Sequence, residues 1–256
     1  MEEHNNNIRY HLLMIFISLC LLWASSHSAK AQATDTVIFK KSQLVETINW
    51  TTYQSEKRKQ PSQTILKLNA GFGTRPEKEP LNEDFPKDFS KLKNGFVWDV
   101  SSDFIFSNDI GVRLTFYQFR SSYHSPNTDQ QGSFTIKDRI TYVGPAFVIR
   151  IPFDQSPWDF DASVGFGYIE YREKQTFAID NANFFGATIS VQFSMGVEYK
   201  ITPQWGIGIN VQTIIGEITE FRHEKNGEKW TATFEAGEGE DIAQTGMGIG
   251  IRYYFK

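Results

Sequence analysis

Between residues 187 and 201 the apolar and non-apolar side chains alternate without a break. Ala187, Ile189, Val191, Phe193, Met195, Val197, Tyr199 and Ile201 hold the odd positions. Thr188, Ser190, Gln192, Ser194, Gly196, Glu198 and Lys200 hold the even ones. A period of two puts the two sets on opposite faces of an extended strand, whereas a helix would mix them around its circumference. A chain made of such segments folds as a sheet with one apolar and one polar face.

Seven further segments read the same way, near 63–74, 94–106, 110–121, 138–153, 157–172, 204–216 and 245–255. In the first, Leu66, Leu68, Ala70 and Phe72 oppose Lys67, Asn69, Gly71 and Gly73. In the last, Met247, Ile249, Ile251, Tyr253 and Phe255 oppose Gly246, Gly248, Gly250, Arg252 and Tyr254. Tight turns are expected at Ser107-Asn108-Asp109, Asp154-Gln155-Ser156 and Thr202-Pro203-Gln204. Long connections are expected near 75–93, 121–133, 173–184 and 217–241. Short turns at one end and long loops at the other describe an all-β, eight-stranded antiparallel up-and-down barrel. Ten strands would result if 32–61 or 217–241 joined the ring.

Such a barrel either hides its apolar face from water or shows it to lipid. Here the polar set is rich in glycine and small residues, which suits a narrow lumen, and the apolar set carries the large rings. Phe106, Phe153, Trp158, Tyr199, Trp205, Tyr253 and Phe255 sit near the short-turn ends. Phe72, Phe96, Trp98, Phe116, Tyr168 and Phe185 sit near the long-loop ends. Two aromatic girdles around an aliphatic band match the two headgroup levels of a bilayer, so the apolar face is read as the outside. The low apolar content (40%) and negative mean hydropathy (-0.39) fit strands and not membrane helices.

The N-terminus points to export. Leu12–Ala24 is an apolar run of a length typical of a signal peptide and too short to span a bilayer as a helix. Ala29-Lys30-Ala31 follows as a small-x-small cleavage site, giving a signal peptide over 1–31, a periplasmic lead-in over 32–61 and the barrel over 62–256. Cys20 is the single cysteine and falls within the signal. The net charge of -4 gives no footing for nucleic acid.

The closing Met247-Ile249-Ile251-Tyr253-Phe255 pattern resembles the C-terminal signature of outer-membrane barrels. The segment 62–256 as a whole is similar to the small OmpA/OmpX-like, porin-family barrels. Tyr142-Val143-Gly144-Pro145 and Asp99-Val100-Ser101 look like the versions found in Bacteroidetes. The resemblance implies residence in the outer membrane of a Gram-negative bacterium, in contact with its lipid. It also implies that Ile251, Tyr253 and Phe255 are read by the barrel assembly machinery.

On the inward face, Asp103 with Arg113, Arg150 with Asp161, and Glu198 with Arg252 are expected to form a polar network, because an unpaired buried charge costs several kcal/mol. No catalytic residue, metal or cofactor is expected. Of the two mature histidines, His124 has Ser122, Ser125 and Asp129 near it in sequence, but nothing there orients it. The segment 217–241 carries eight acids against three bases, and Asn226-Gly227 marks a hairpin turn within it. It is expected to prolong strands seven and eight beyond the membrane. The role expected is structural, or surface interaction with an extracellular or periplasmic protein. A narrow pore and a secretion-associated barrel of the PorT type are the alternatives.

Overall fold

The computed structural model describes residues 62–75, 92–106, 109–125, 133–153, 156–176, 181–225, 227–234 and 239–255. The expected signal peptide and lead-in lie outside the described residues. The strands are β1 (Gln63–Thr74), β2 (Asn94–Ile105), β3 (Ile110–Ser125), β4 (Phe134–Pro152), β5 (Trp158–Thr176), β6 (Asn181–Lys200), β7 (Trp205–Ile218), β8 (Glu220–Lys225), β9 (Glu228–Thr233), β10 (Glu240–Asp241) and β11 (Gln244–Tyr254).

Strands β1 to β7 pair in chain order, β7 pairs with β11, and β11 pairs with β1. All of these pairings are antiparallel, and they close a ring of eight strands. Closure is what a strand needs in lipid, where water cannot satisfy a free backbone N–H or C=O. Among the described residues no helix is long and apolar enough to cross a membrane.

The tight turns are built from local chemistry. Asp109 adopts φ 61°, a left-handed conformation that aspartate tolerates better than most residues. The Phe106 amide donates to the Ile110 carbonyl at 2.7 Å beside it. At the third turn the Thr202 hydroxyl accepts from the Trp205 amide at 2.9 Å.

The pleat sorts the side chains as the alternation requires. Leu66, Leu68, Val112, Leu114, Phe147, Ile149, Val164, Ile207 and Ile209 are exposed on the outside. Lys67, Asp103, Arg113, Arg150, Asp161, Gln192, Glu198 and Arg252 are buried in the lumen. Trp158 packs on Tyr199, and Trp205 on Tyr253, both at 4.9 Å between ring centroids, near the short turns. Trp98 packs on Phe116 at 5.2 Å toward the other end.

One expectation changes. Strands β3 to β6 run further outward than 121, 138, 172 and 187, so the connection expected over 173–184 narrows to 177–180. Beyond the bilayer both sheet faces can be polar, so hydropathy loses its contrast while the pairing continues. The 217–241 segment prolongs strand seven as expected, but with a break: β8 continues the pairing of β7 along β6 after a one-residue offset at Thr219, β10 continues β11 along β7, and β9 returns on β8. Gly227 supplies the turn at φ 88°.

Val164 lies mid-strand on the outward face of β5. Val164→Arg is expected to lower the unfolding free energy in phospholipid vesicles by about 2–4 kcal/mol, the usual depth-dependent penalty of a charge facing lipid. A urea titration checks this, and an unchanged midpoint would contradict the assigned face.

Candidate functional site

The lumen brings together buried charged side chains from most strands of the ring. Its inner half holds a dense ionic cluster. Lys67 from β1 reaches Asp103 on β2 at 2.8 Å, Asp161 on β5 at 3.0 Å and Glu198 on β6 at 2.7 Å. Arg113 from β3 forks onto both Asp103 oxygens at 2.6 and 2.8 Å and reaches Asp161 at 2.5 Å. Its other terminal nitrogen donates to the Ser194 hydroxyl at 2.9 Å. A planar guanidinium suits this role, since it holds two acceptors in fixed directions.

Glu198 is the hub. It is fully buried and accepts from Lys67, from Arg150 at 2.9 Å, from Arg252 at 2.9 Å and from the Tyr254 hydroxyl at 3.2 Å. Arg252 also donates to Asn69 at 2.6 Å, and Asn69 donates to Asp99 at 2.7 Å. Asp159 takes Arg150 at 2.5 Å and Lys200 at 2.9 Å. Lys67, Arg113, Arg150, Lys200 and Arg252 thus face Asp99, Asp103, Asp159, Asp161 and Glu198, a balanced set of five against five.

All six residues singled out in the sequence for this region point into the same cluster. One pairing differs. Arg150 and Asp161 are register partners, yet Arg150 bonds Asp159 and Glu198 while Asp161 goes to Lys67 and Arg113. Lys67, Asn69, Asp99, Asp159 and Tyr254 were missed as members. Their strand positions already put them on the inward face, and depth matching across non-adjacent strands is what sequence spacing lacks.

Glycines make room for this cluster. A Cβ on Gly208 would meet an Arg252 terminal nitrogen at 2.9 Å and the Val197 carbonyl at 2.7 Å. A Cβ on Gly196 would meet Asp161 at 2.9 Å. β7 contributes no charge here, and its Gly206 and Gly208 leave the space that Tyr254 and Arg252 occupy.

The outer half of the lumen carries a large apolar cluster, where a polar network was expected to fill most of the interior. Val97, Tyr117, Phe119, Ile140, Tyr142, Ile169, Tyr171, Ile214 and Ile218 form one buried cluster, joined by Phe221 and Ile242 from the hairpin region. Above it Arg75 pairs with Asp138, and Glu173 accepts from Tyr171 and Gln175 at 2.5 Å each. The signal was present on β3, where Tyr117 and Phe119 continue the inward phase of Arg113 and Thr115.

Of the expected assembly signal, Ile251 and Tyr253 lie on the outward face of β11 and Phe255 is exposed just past its end; β11 closes the ring against β1 through Leu68↔Ile251 and Leu66↔Tyr253. His124 lies outside the lumen, with its ring nitrogen 2.9 Å from the Thr135 hydroxyl. Asp129 lies outside the described residues. His223 stacks on Trp230 at 5.3 Å. Among the described residues no group of three or more His, Cys, Asp or Glu is placed to hold a metal ion.

A family model for the outer membrane protein beta-barrel domain matches residues 17–255. The chain belongs to this family. Its fold is shared with a major outer membrane protein of Thermus thermophilus, at TM-score 0.53 and 12% identity, over 77% of this chain and all (100%) of that one. Neisserial surface protein A matches at TM-score 0.47 and 14% identity, over 75% and 97%. The outer membrane protease OmpT of Escherichia coli matches at 0.45 and 8%, over 76% and 97%. No curated protein sequence matches. Family and fold together make this an outer-membrane β-barrel protein.

Glu198→Gln removes the negative charge shared by three buried cations and puts an amide NH2 donor among them, so it is expected to destabilise the folded barrel by about 3–5 kcal/mol, the usual cost of breaking a buried pair. Arg150→Ala costs less, since Lys200 stays on Asp159 and Lys67 with Arg252 stays on Glu198. Denaturant midpoints of the two variants check the order. Equal, unshifted midpoints would contradict the cluster.

Proposed function

We propose that the protein is a sealed, non-enzymatic barrel that serves as a rigid outer-membrane mount for a surface hairpin. The observation that carries this is the filling of the lumen. A charge-balanced cluster lies in its inner half and a tyrosine- and isoleucine-rich plug in its outer half. An ion crossing it would have to displace both. The ionic cluster ties β1 to β6 and β11 together across the lumen and fixes their positions.

The hairpin is the part aimed outward. Among the described residues β9 pairs only with β8, and it ends the sheet order opposite β10. Its side chains are largely exposed, Trp230 among them. An unpaired strand edge offers backbone donors and acceptors to another extended chain. The reading is therefore adhesion or capture of a partner chain by strand addition at β9. In this account residues 1–31 are removed on export, and Ile251, Tyr253 and Phe255 are contacted by the assembly machinery before the barrel closes.

The test has two parts. Purified mature protein in planar bilayers is expected to give no discrete conductance steps. Thr231→Pro in the free edge is expected to abolish adhesion of expressing cells while leaving the barrel's thermal midpoint unchanged. Stepwise conductance would favour the narrow-pore reading, and wild-type adhesion in the Thr231→Pro variant would remove the edge from the account.

A further inference from the structure

The outer surface of the barrel carries a row of arginines that its own chain neutralises only in part: Arg172 pairs with Glu170 at 2.5 Å and Arg222 with Glu220 at 3.8 Å, while Arg120 and Arg139 face no carboxylate among the described residues. Strand register aligns Phe96, Arg120, Arg139, Arg172, Phe185 and Arg222 across β2, β3, β4, β5, β6 and β8. The next register line outward holds Ser122, Lys137, Lys174, Asn183 and Glu224, so its one carboxylate lies on β8, two strands from Lys174. All these side chains point away from the lumen. Like charges directly opposite one another across strands repel and destabilise a sheet. Here Arg120 faces Arg139, Arg139 faces Arg172, and Lys137 faces Lys174.

Local compensation is thin. On this face of β3, β4 and β5, beyond the aromatic girdle, five cations meet one carboxylate. That carboxylate is Glu170, which accepts from Arg172 at 2.5 and 3.0 Å. Arg120 donates to the neutral amide of Gln118 at 2.6 Å. Among the described residues no carboxylate pairs with Lys137, Arg139 or Lys174. These residues line an outward groove of about 870 Å³ with Arg120, Arg172 and Phe185. Arg172 also lies over the Phe185 ring at 5.3 Å, which holds its guanidinium plane against the groove wall.

Position says what the row meets. It runs from Phe96 to Phe185, two rings of the outer girdle, and on to Arg222. Two steps down β3 and β5 from the arginines, Gln118 and Glu170 lead to Phe116 and Tyr168, which mark the bilayer edge. Outward-facing side chains at this height on a membrane barrel are reached first by lipid headgroups.

We propose that this arginine row is a binding site for the phosphorylated headgroup of an outer-leaflet glycolipid. The phosphate oxygens would sit across Arg120, Arg139 and Lys137, taking two-pronged hydrogen bonds from the guanidinium groups and cancelling the repulsion between strands. Acyl chains would then run down the apolar outside of β3 to β5, past Phe116 and Tyr168.

The test uses the full mature chain folded in non-ionic micelles. It is titrated separately with phosphorylated lipid A, the same lipid A dephosphorylated, inorganic phosphate and a soluble sulfated polysaccharide, and binding is followed with the thermal midpoint. Phosphorylated lipid A is expected to bind and raise the midpoint, and the dephosphorylated lipid is not. Each basic residue near an anionic lipid surface contributes about fivefold, so Lys137→Gln with Arg139→Gln is expected to weaken binding about 25-fold. The same pair is expected to leave the lipid-free midpoint unchanged or higher, because repulsion is relieved. Lys174→Gln provides a single-site variant with about a fivefold loss. Equal binding of the dephosphorylated lipid, or undiminished binding by the variants, would overturn the site. Binding of the polysaccharide or inorganic phosphate without the lipid would overturn it too, by making the surface a reader of soluble anions.

Discussion

The structure depends first on ring closure. Inside a bilayer a strand edge has no water to bond to, so β11 must come back to β1. That requirement fixes everything that follows from the pleat. Alternate side chains must face lipid, and their neighbours must face a lumen too narrow for bulky residues from every strand. Glycine at Gly196, Gly206 and Gly208 and long charged side chains at Arg113 and Arg252 are two halves of one packing solution.

The narrow lumen also sets the electrostatics. Charges removed from water cost several kcal/mol each unless they are paired with good geometry. The cluster around Glu198 and Lys67 meets that condition by matching five cations to five carboxylates drawn from seven of the eight strands. The outer surface follows a different rule. There, charges need no internal balance because headgroups and solvent can supply it, and the aligned arginines of β3, β4 and β5 use that freedom.

Much of this was legible in the sequence. The eight ring strands follow from alternation such as 187–201, and the lipid face follows from where Trp158, Trp205, Trp98 and Phe116 fall along their strands. Candidate lumen charges followed from inward phase alone. Partner assignments did not, because Arg150 meets Asp159 through side-chain length and strand tilt, neither of which spacing records. The apolar plug was missed because inward Tyr117 and Phe119 sit beside outward Phe116, which blurs the alternation. Outer strand ends were set too short because residues such as Lys137, Arg139, Arg172 and Lys174 carry no hydropathy contrast, although their backbone pairing continues.

The central claim is a closed barrel with its apolar face turned to lipid. Electrophoretic mobility of the detergent-folded mature chain, unboiled against boiled on a cold denaturing gel, tests it most directly. The account predicts distinct folded and unfolded bands that merge on boiling, with the folded form requiring detergent or lipid. A single band at all temperatures, from a chain that stays folded and soluble in plain buffer, would mean that the large rings line an interior and would contradict it.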